Sequence, residues 1–109
     1  MKATGDCFES AFKMLFQGSD EDALLVHAEV LGQGPLEGVR FSHAFVQANG
    51  TVYDNTNGRG VVMPAVLYRA IGCIDEIGNI HVYTRQQALE QATTTGHYGP
   101  WDLKTSTGL

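Results

Sequence analysis

Cys7, His43 and Asp54 are the residues of this chain whose types and spacing suit nucleophilic chemistry. Cys7 follows Asp6, a helix-capping residue type, and opens a stretch in which Phe8, Ala11, Phe12, Leu15 and Phe16 recur at helical spacing before Gly18. A thiol on the first turn of a helix meets the positive end of the backbone dipole and several unpaired N–H groups. Both favour the thiolate, which is the nucleophile. The same N–H groups suit the oxyanion formed when a carbonyl is attacked, and Gly5 leaves room for a substrate backbone. Asp6 opposes the thiolate, so the helix end needs a second group. Read alone, Cys7 is equally a half-buried structural cysteine.

The second group is His43, on a strand that runs into Asn49-Gly50. That dipeptide suits the positive φ angles of a two-residue hairpin turn. Such a turn pairs Ala48 with Thr51, sets His43 opposite Thr56 and sets Asp54 opposite Phe45. His43 and Asp54 then project from one face as diagonal neighbours, a spacing of about 7 Å that an imidazole and a carboxylate bridge. Asp54 would fix the ring tautomer and support the imidazolium, leaving the other nitrogen for Cys7. A one-residue bulge would put Asn55 in the place of Asp54. The plainer alternative is a His–Asp pair that only stabilises a sheet.

These side chains need elements to position them. The pattern predicts a helix from Cys7, a strand over 23–31, a turn at Gly32–Pro35, a strand over 39–48 and a returning strand over 51–56. Asn57, Gly58 and Gly60 break that run. A second helix follows from Pro64, with Val66, Leu67, Ala70 and Ile71 as its apolar positions and Gly72 as its stop. A strand over 79–83 precedes a third helix whose Thr84 and Gln87 have capping-box spacing. The order implies an α+β fold: an N-terminal helix packed on a small, mainly antiparallel sheet, with additional helices. Packing the apolar stripe of the first helix on that sheet is expected to bring the thiol over His43.

Gly5-Asp6-Cys7 at a helix start, then Ser42-His43-Ala44-Phe45-Val46 and Val52-Tyr53-Asp54, resemble the papain-like superfamily, especially its transglutaminase-core branch. The resemblance covers roughly Gly5 to Gly58. With Gly32-Gln33-Gly34-Pro35 and Gly96-His97-Tyr98-Gly99-Pro100-Trp101, the chain is similar to small proteins of bacteria and their phages. The resemblance implies a papain-like fold and a Cys-His-Asp catalytic triad. Papain-like peptidases commonly place a Gln before the Cys, and none precedes Cys7 here. Gln33 is a candidate replacement for that oxyanion donor, or else an exposed turn residue.

Composition bounds the rest. The 109 residues suit one domain, expected over 1–104 with a polar tail over 105–109. Net charge is -5 and the seven basic residues are scattered, unlike the clustered cations of a nucleic-acid surface. No apolar run reaches the length of a membrane span, and no signal-peptide pattern is visible. A reduced, cytoplasmic setting in a bacterial or phage-infected cell is expected. Neither a metal nor a cofactor is expected, and two distant cysteines make no disulfide framework. His27 reads as a sheet histidine paired with a neighbour, His81 as a sheet or surface residue and Cys73 as structural. The aromatic segment His97–Trp101 reads as a plug closing a small core, with a substrate wall at Trp101 as the alternative. The expected activity is that of a thiol hydrolase, a small cysteine peptidase or amidase acting on a peptide or protein. Deamidation or acyl transfer would use the same machinery, and a non-enzymatic binding protein on the same scaffold is the alternative from another class.

Overall fold

The computed structural model describes residues 7–18, 20–32, 34–55 and 60–104. Asp6, Gln33, Thr56 and the stretches 57–59 and 105–109 lie outside the described residues. The elements run α1 (Cys7–Gln17), β1 (Leu24–Leu31), a 3₁₀ turn (Gly34–Leu36), β2 (Arg40–Ala48), β3 (Thr51–Asp54) and β4 (Val61–Pro64). They continue as α2 (Ala65–Ile71), α3 (Ile74–Ile77), β5 (Ile80–Tyr83) and α4 (Arg85–Thr95). The protein is an α+β fold with a five-stranded antiparallel sheet in the order β4-β3-β2-β1-β5.

Alternation along the central strands divides the core between the two faces of the sheet. Leu25, Ala44 and Val46 face α1 and α4, where they meet Phe8, Ala11, Leu15 and Ala88. Val26, Ala28 and Phe45 face α2 and α3, where they meet Ala65 and Ile74. With both faces covered, β1 is buried over six consecutive residues and reads as a nearly continuous apolar run.

Local chemistry accounts for the boundaries. Asn49 and Gly50 take positive φ of 54° and 77°, and the hairpin pairs Val46 with Tyr53, Gln47 with Val52 and Ala48 with Thr51. That is the expected register. Thr84 and Gln87 form a reciprocal capping box at α4, whose end is set by Gly96 in the left-handed region. Arg85, at the start of α4, donates from Nε and Nη2 to the Leu15 carbonyl at 3.2 and 3.0 Å. A cation there satisfies a carbonyl that the last turn of α1 leaves open and favours the negative end of its dipole.

Three elements depart from the sequence reading, the first being the short helix α3, whose four residues give no helical repeat to read. Strand β4 was not expected, because four residues ending in a proline carry little strand signal. It survives as an edge strand, where a missing N–H is tolerated. Helix α2 also turns a different side inward. Ala65 is buried and Tyr68 partly so, while Val66 is 84% exposed and Leu67 and Ile71 are also exposed. The side that carries most of the apolar residues faces outward. The reason is tertiary: α2 follows directly from β4, and the Ala65 N–H donates to the Gly50 carbonyl at 2.8 Å, which fixes its rotation.

Candidate active site

His43 pairs across the sheet with Ala28 and lies two residues from Phe45, so its ring projects on the α2 side. The apolar stripe of α1 packs on the opposite face. The thiol therefore does not lie over His43 by flat packing, as expected from the sequence. Contact is made at a margin instead. The β2–β3 ladder covers Val46–Ala48, and β2 extends beyond it as far as Arg40. The first turns of α1 lie beside this stretch, since the Ser10 hydroxyl approaches the Asn55 carbonyl at 3.5 Å where β3 ends. There Cys7 comes close enough to the His43 ring to act on its pKa.

Nε2 of His43 lies 2.8 Å from Oδ2 of Asp54. Nδ1 is thus the ring nitrogen left for sulfur. The same Oδ2 accepts a hydrogen bond from the Tyr68 hydroxyl at 2.6 Å. Phe41 and Phe45 flank the histidine with ring centroids 5.9 and 6.4 Å away, and Tyr68 packs on Phe45 at 4.7 Å. Cys7 is wholly buried and His43 is 9% exposed. Burial alone would lower the His43 pKa. Hydrogen bonds to Asp54 and Cys7, with the charges behind them, outweigh it and raise the value to about 9. Burial and the nearby Asp54 charge push the Tyr68 hydroxyl far above the ordinary phenol range. At neutral pH the imidazole is therefore protonated, a donor at both nitrogens, and the phenol is a donor that does not ionise.

The structure thus brings Cys7, His43 and Asp54 together. Asn55 is exposed beyond the end of β3, and Gln33 lies outside the described residues. Trp101 is elsewhere, in the α1-side core, with ring centroids 4.9 Å from His27 and 5.0 Å from Tyr83. Its indole N–H donates to the His97 carbonyl at 3.1 Å, so the segment closes on itself as it covers that core. Tyr68 was missed. It sits three residues after Ala65 and so shares its face of the helix, but the more apolar Val66 and Leu67 pointed the other way.

His27 is fully buried among Phe8, Tyr83 and Trp101, and among the described residues neither ring nitrogen has a hydrogen-bond partner. It lies opposite Ala44 and His81 in the ladders without bonding to either side chain, because its ring is turned into the aromatic layer. Burial, with His81 adding to it and Asp102 opposing, lowers its pKa to about 4. Gly99 seals this box. A Cβ there would stand 2.6 Å from Cε1 of His27 and 3.2 Å from Cδ1 of Phe8, at a φ of +120°. Gly99→Ala is expected to destabilise the fold by about 3 kcal/mol through overpacking and backbone strain. Urea unfolding checks this, and a loss under about 0.5 kcal/mol would show that the segment yields freely.

Among the described residues, no group of three or more His, Cys, Asp or Glu side chains is arranged to hold a metal ion, and no helix is long and apolar enough to cross a membrane. Comparison with protein-family models, curated proteins and solved structures finds no match.

Proposed function

We propose that this protein is a small thiol hydrolase of papain-like type, a cysteine peptidase or amidase that works through an acyl-enzyme. The observation that carries the reading is the convergence of three side chains, His43 bonded to Asp54 at 2.8 Å and Cys7, on the first turn of α1, beside the same ring. The order of a helix-borne Cys, a strand-borne His and an Asp on the next strand supports the papain-like assignment.

In this mechanism the thiol proton already resides on Nδ1 of the protonated His43, and the sulfur anion beside it attacks the acyl carbon of an amide. The N–H groups of the first turn of α1 receive the oxyanion. As the carbon–nitrogen bond breaks, His43 returns the proton to the departing amine. The remaining thioester is hydrolysed by a water that gives its proton to the same nitrogen as the sulfur leaves, which restores the charged pair. An amine in place of water would make the reaction an acyl transfer, and a side-chain carboxamide as substrate would make it a deamidation. A peptide segment is the natural substrate class, since a domain of this size offers a short binding surface. We place the reaction in the cytoplasm of a bacterial or phage-infected cell.

The complete burial of Cys7 favours a second reading, a binding protein that retains the scaffold without turnover. Cys73 is partly exposed and provides an internal reference. Under a short pulse of iodoacetamide, peptide mapping is expected to show Cys7 reacting at least about tenfold faster than Cys73, with His43→Ala removing the advantage. If Cys7 in the folded protein reacts no faster than Cys73, the hydrolase reading fails and the binding protein stands. Acyl-directed activity probes tested on the wild type, Cys7→Ala and His43→Ala would then separate peptidase from deamidase or transferase chemistry.

A further inference from the structure

Oδ2 of Asp54 receives two donors, the His43 ring at 2.8 Å and the Tyr68 hydroxyl at 2.6 Å. We propose that Tyr68 is a positioning residue, the fourth member of the constellation, which pins the Asp54 carboxylate in the orientation that His43 uses. The terminal torsion of a carboxylate is broad and gives it freedom to turn. A second donor on the same oxygen removes that freedom when its own position is fixed.

Tyr68 is fixed from three directions. Its ring packs on Phe45, the neighbour of His43 on the same face of β2. Its helix follows β4 without a loop, and β4 pairs directly with the strand that carries the carboxylate, Val61 opposite Asp54. The first N–H of the helix donates to Gly50, at the tip of the hairpin that sets the His43–Asp54 register. Strand, carboxylate and hydroxyl therefore form one rigid unit. The hydroxyl is also a constant donor, because its burial beside Asp54 keeps it protonated through the range in which His43 titrates. The position of the carboxylate then holds while the proton on the histidine comes and goes.

The effect on Cys7 rests on the hydrolase reading, whereas the effect on His43 does not. Tyr68→Phe keeps the packing on Phe45 and removes only the hydroxyl. NMR titration of the imidazole is expected to show the His43 pKa falling by about one pH unit, and Cys7 alkylation at neutral pH slowing about tenfold. In an Asp54→Asn background the same substitution is expected to leave the His43 titration unmoved. In the wild type, the two protons that converge on Oδ2 should give a cross-peak, a check that needs no variant. A His43 pKa that stays constant or rises in Tyr68→Phe overturns the proposal, because the hydroxyl would then be idle or in competition with His43. An equal fall in the Asp54→Asn background overturns it as well. If Cys7 is unreactive in the wild type, the hydrolase reading falls and the His43 titration still decides the role of Tyr68.

Discussion

Urea unfolding is expected to show greatest stability at about pH 6.5 and a loss on either side, with a different histidine responsible for each limb. On the acid side the group is His27, whose pKa in the fold is about 4 against 6.5 in the open chain. Above 6.5 both states are neutral there and nothing is lost. As pH falls from 6.5 towards 4 the unfolded chain takes up a proton that the folded chain refuses. The fold then loses about 2 kcal/mol by pH 5 and about 3 kcal/mol in full. On the alkaline side the group is His43, raised to about 9. Its contribution is fully present below 6.5, where both states carry the proton, and is lost as pH rises through 9. The loss is again about 3 kcal/mol.

Single substitutions assign the limbs. His27→Phe is expected to flatten the acid limb, whatever the larger ring costs at pH 7, because the readout is the difference between pH 7 and pH 5 within one variant. Three groups face His27: His81 on β5, Tyr83 on the same strand and Asp102, which accepts the Tyr83 hydroxyl at 2.6 Å; the phenol, pushed up by burial, stays protonated throughout this limb. Trp101, the single tryptophan, touches His27 and should report the acid transition in its fluorescence. His43→Asn is expected to flatten the alkaline limb and leave the acid one intact. Identical limbs in wild type and His27→Phe would show that the buried ring is not the acid-sensitive group.

The parts of this arrangement that sequence makes legible are those set by neighbours in the chain. Asn49-Gly50 dictates a two-residue turn, and the turn dictates the register that puts Asp54 within reach of His43. Thr84 and Gln87 announce the start of α4 for the same reason, since each bonds to the backbone of the other. What stays hidden depends on residues far apart in sequence. The inward rotation of α2 comes from β4 and Gly50, so Tyr68 is buried against Asp54 while the more apolar Val66 faces outward. Cys7 reaches His43 past the end of a short ladder, although the α1 stripe packs on the other face. Arg85 holds the far end of that helix by its carbonyls from seventy residues away. Periodicity finds an element's apolar side, but contact with a site is decided by how that element is anchored.

Substitutions along the series should separate charge from geometry in the proposed reaction. Cys7→Ala removes the nucleophile and is expected to abolish turnover. His43→Ala removes the proton carrier and should cost at least about a thousandfold in kcat/KM. Asp54→Asn is the informative case. Its carbonyl oxygen can still accept from His43 and from Tyr68, so the ring keeps its orientation and the pocket its packing. What disappears is the negative charge, which together with its hydrogen bond accounts for much of the rise of the His43 pKa above its ordinary value. The loss in kcat/KM is therefore expected to be intermediate, about ten- to a hundredfold, and the alkaline limb of the rate profile should move to lower pH. Asp54→Ala removes both charge and acceptor and should approach His43→Ala. If Asp54→Asn is as damaging as His43→Ala, the charge supplies nearly all of the effect. If it is silent, Asp54 serves the sheet alone, and the catalytic unit reduces to Cys7 and His43.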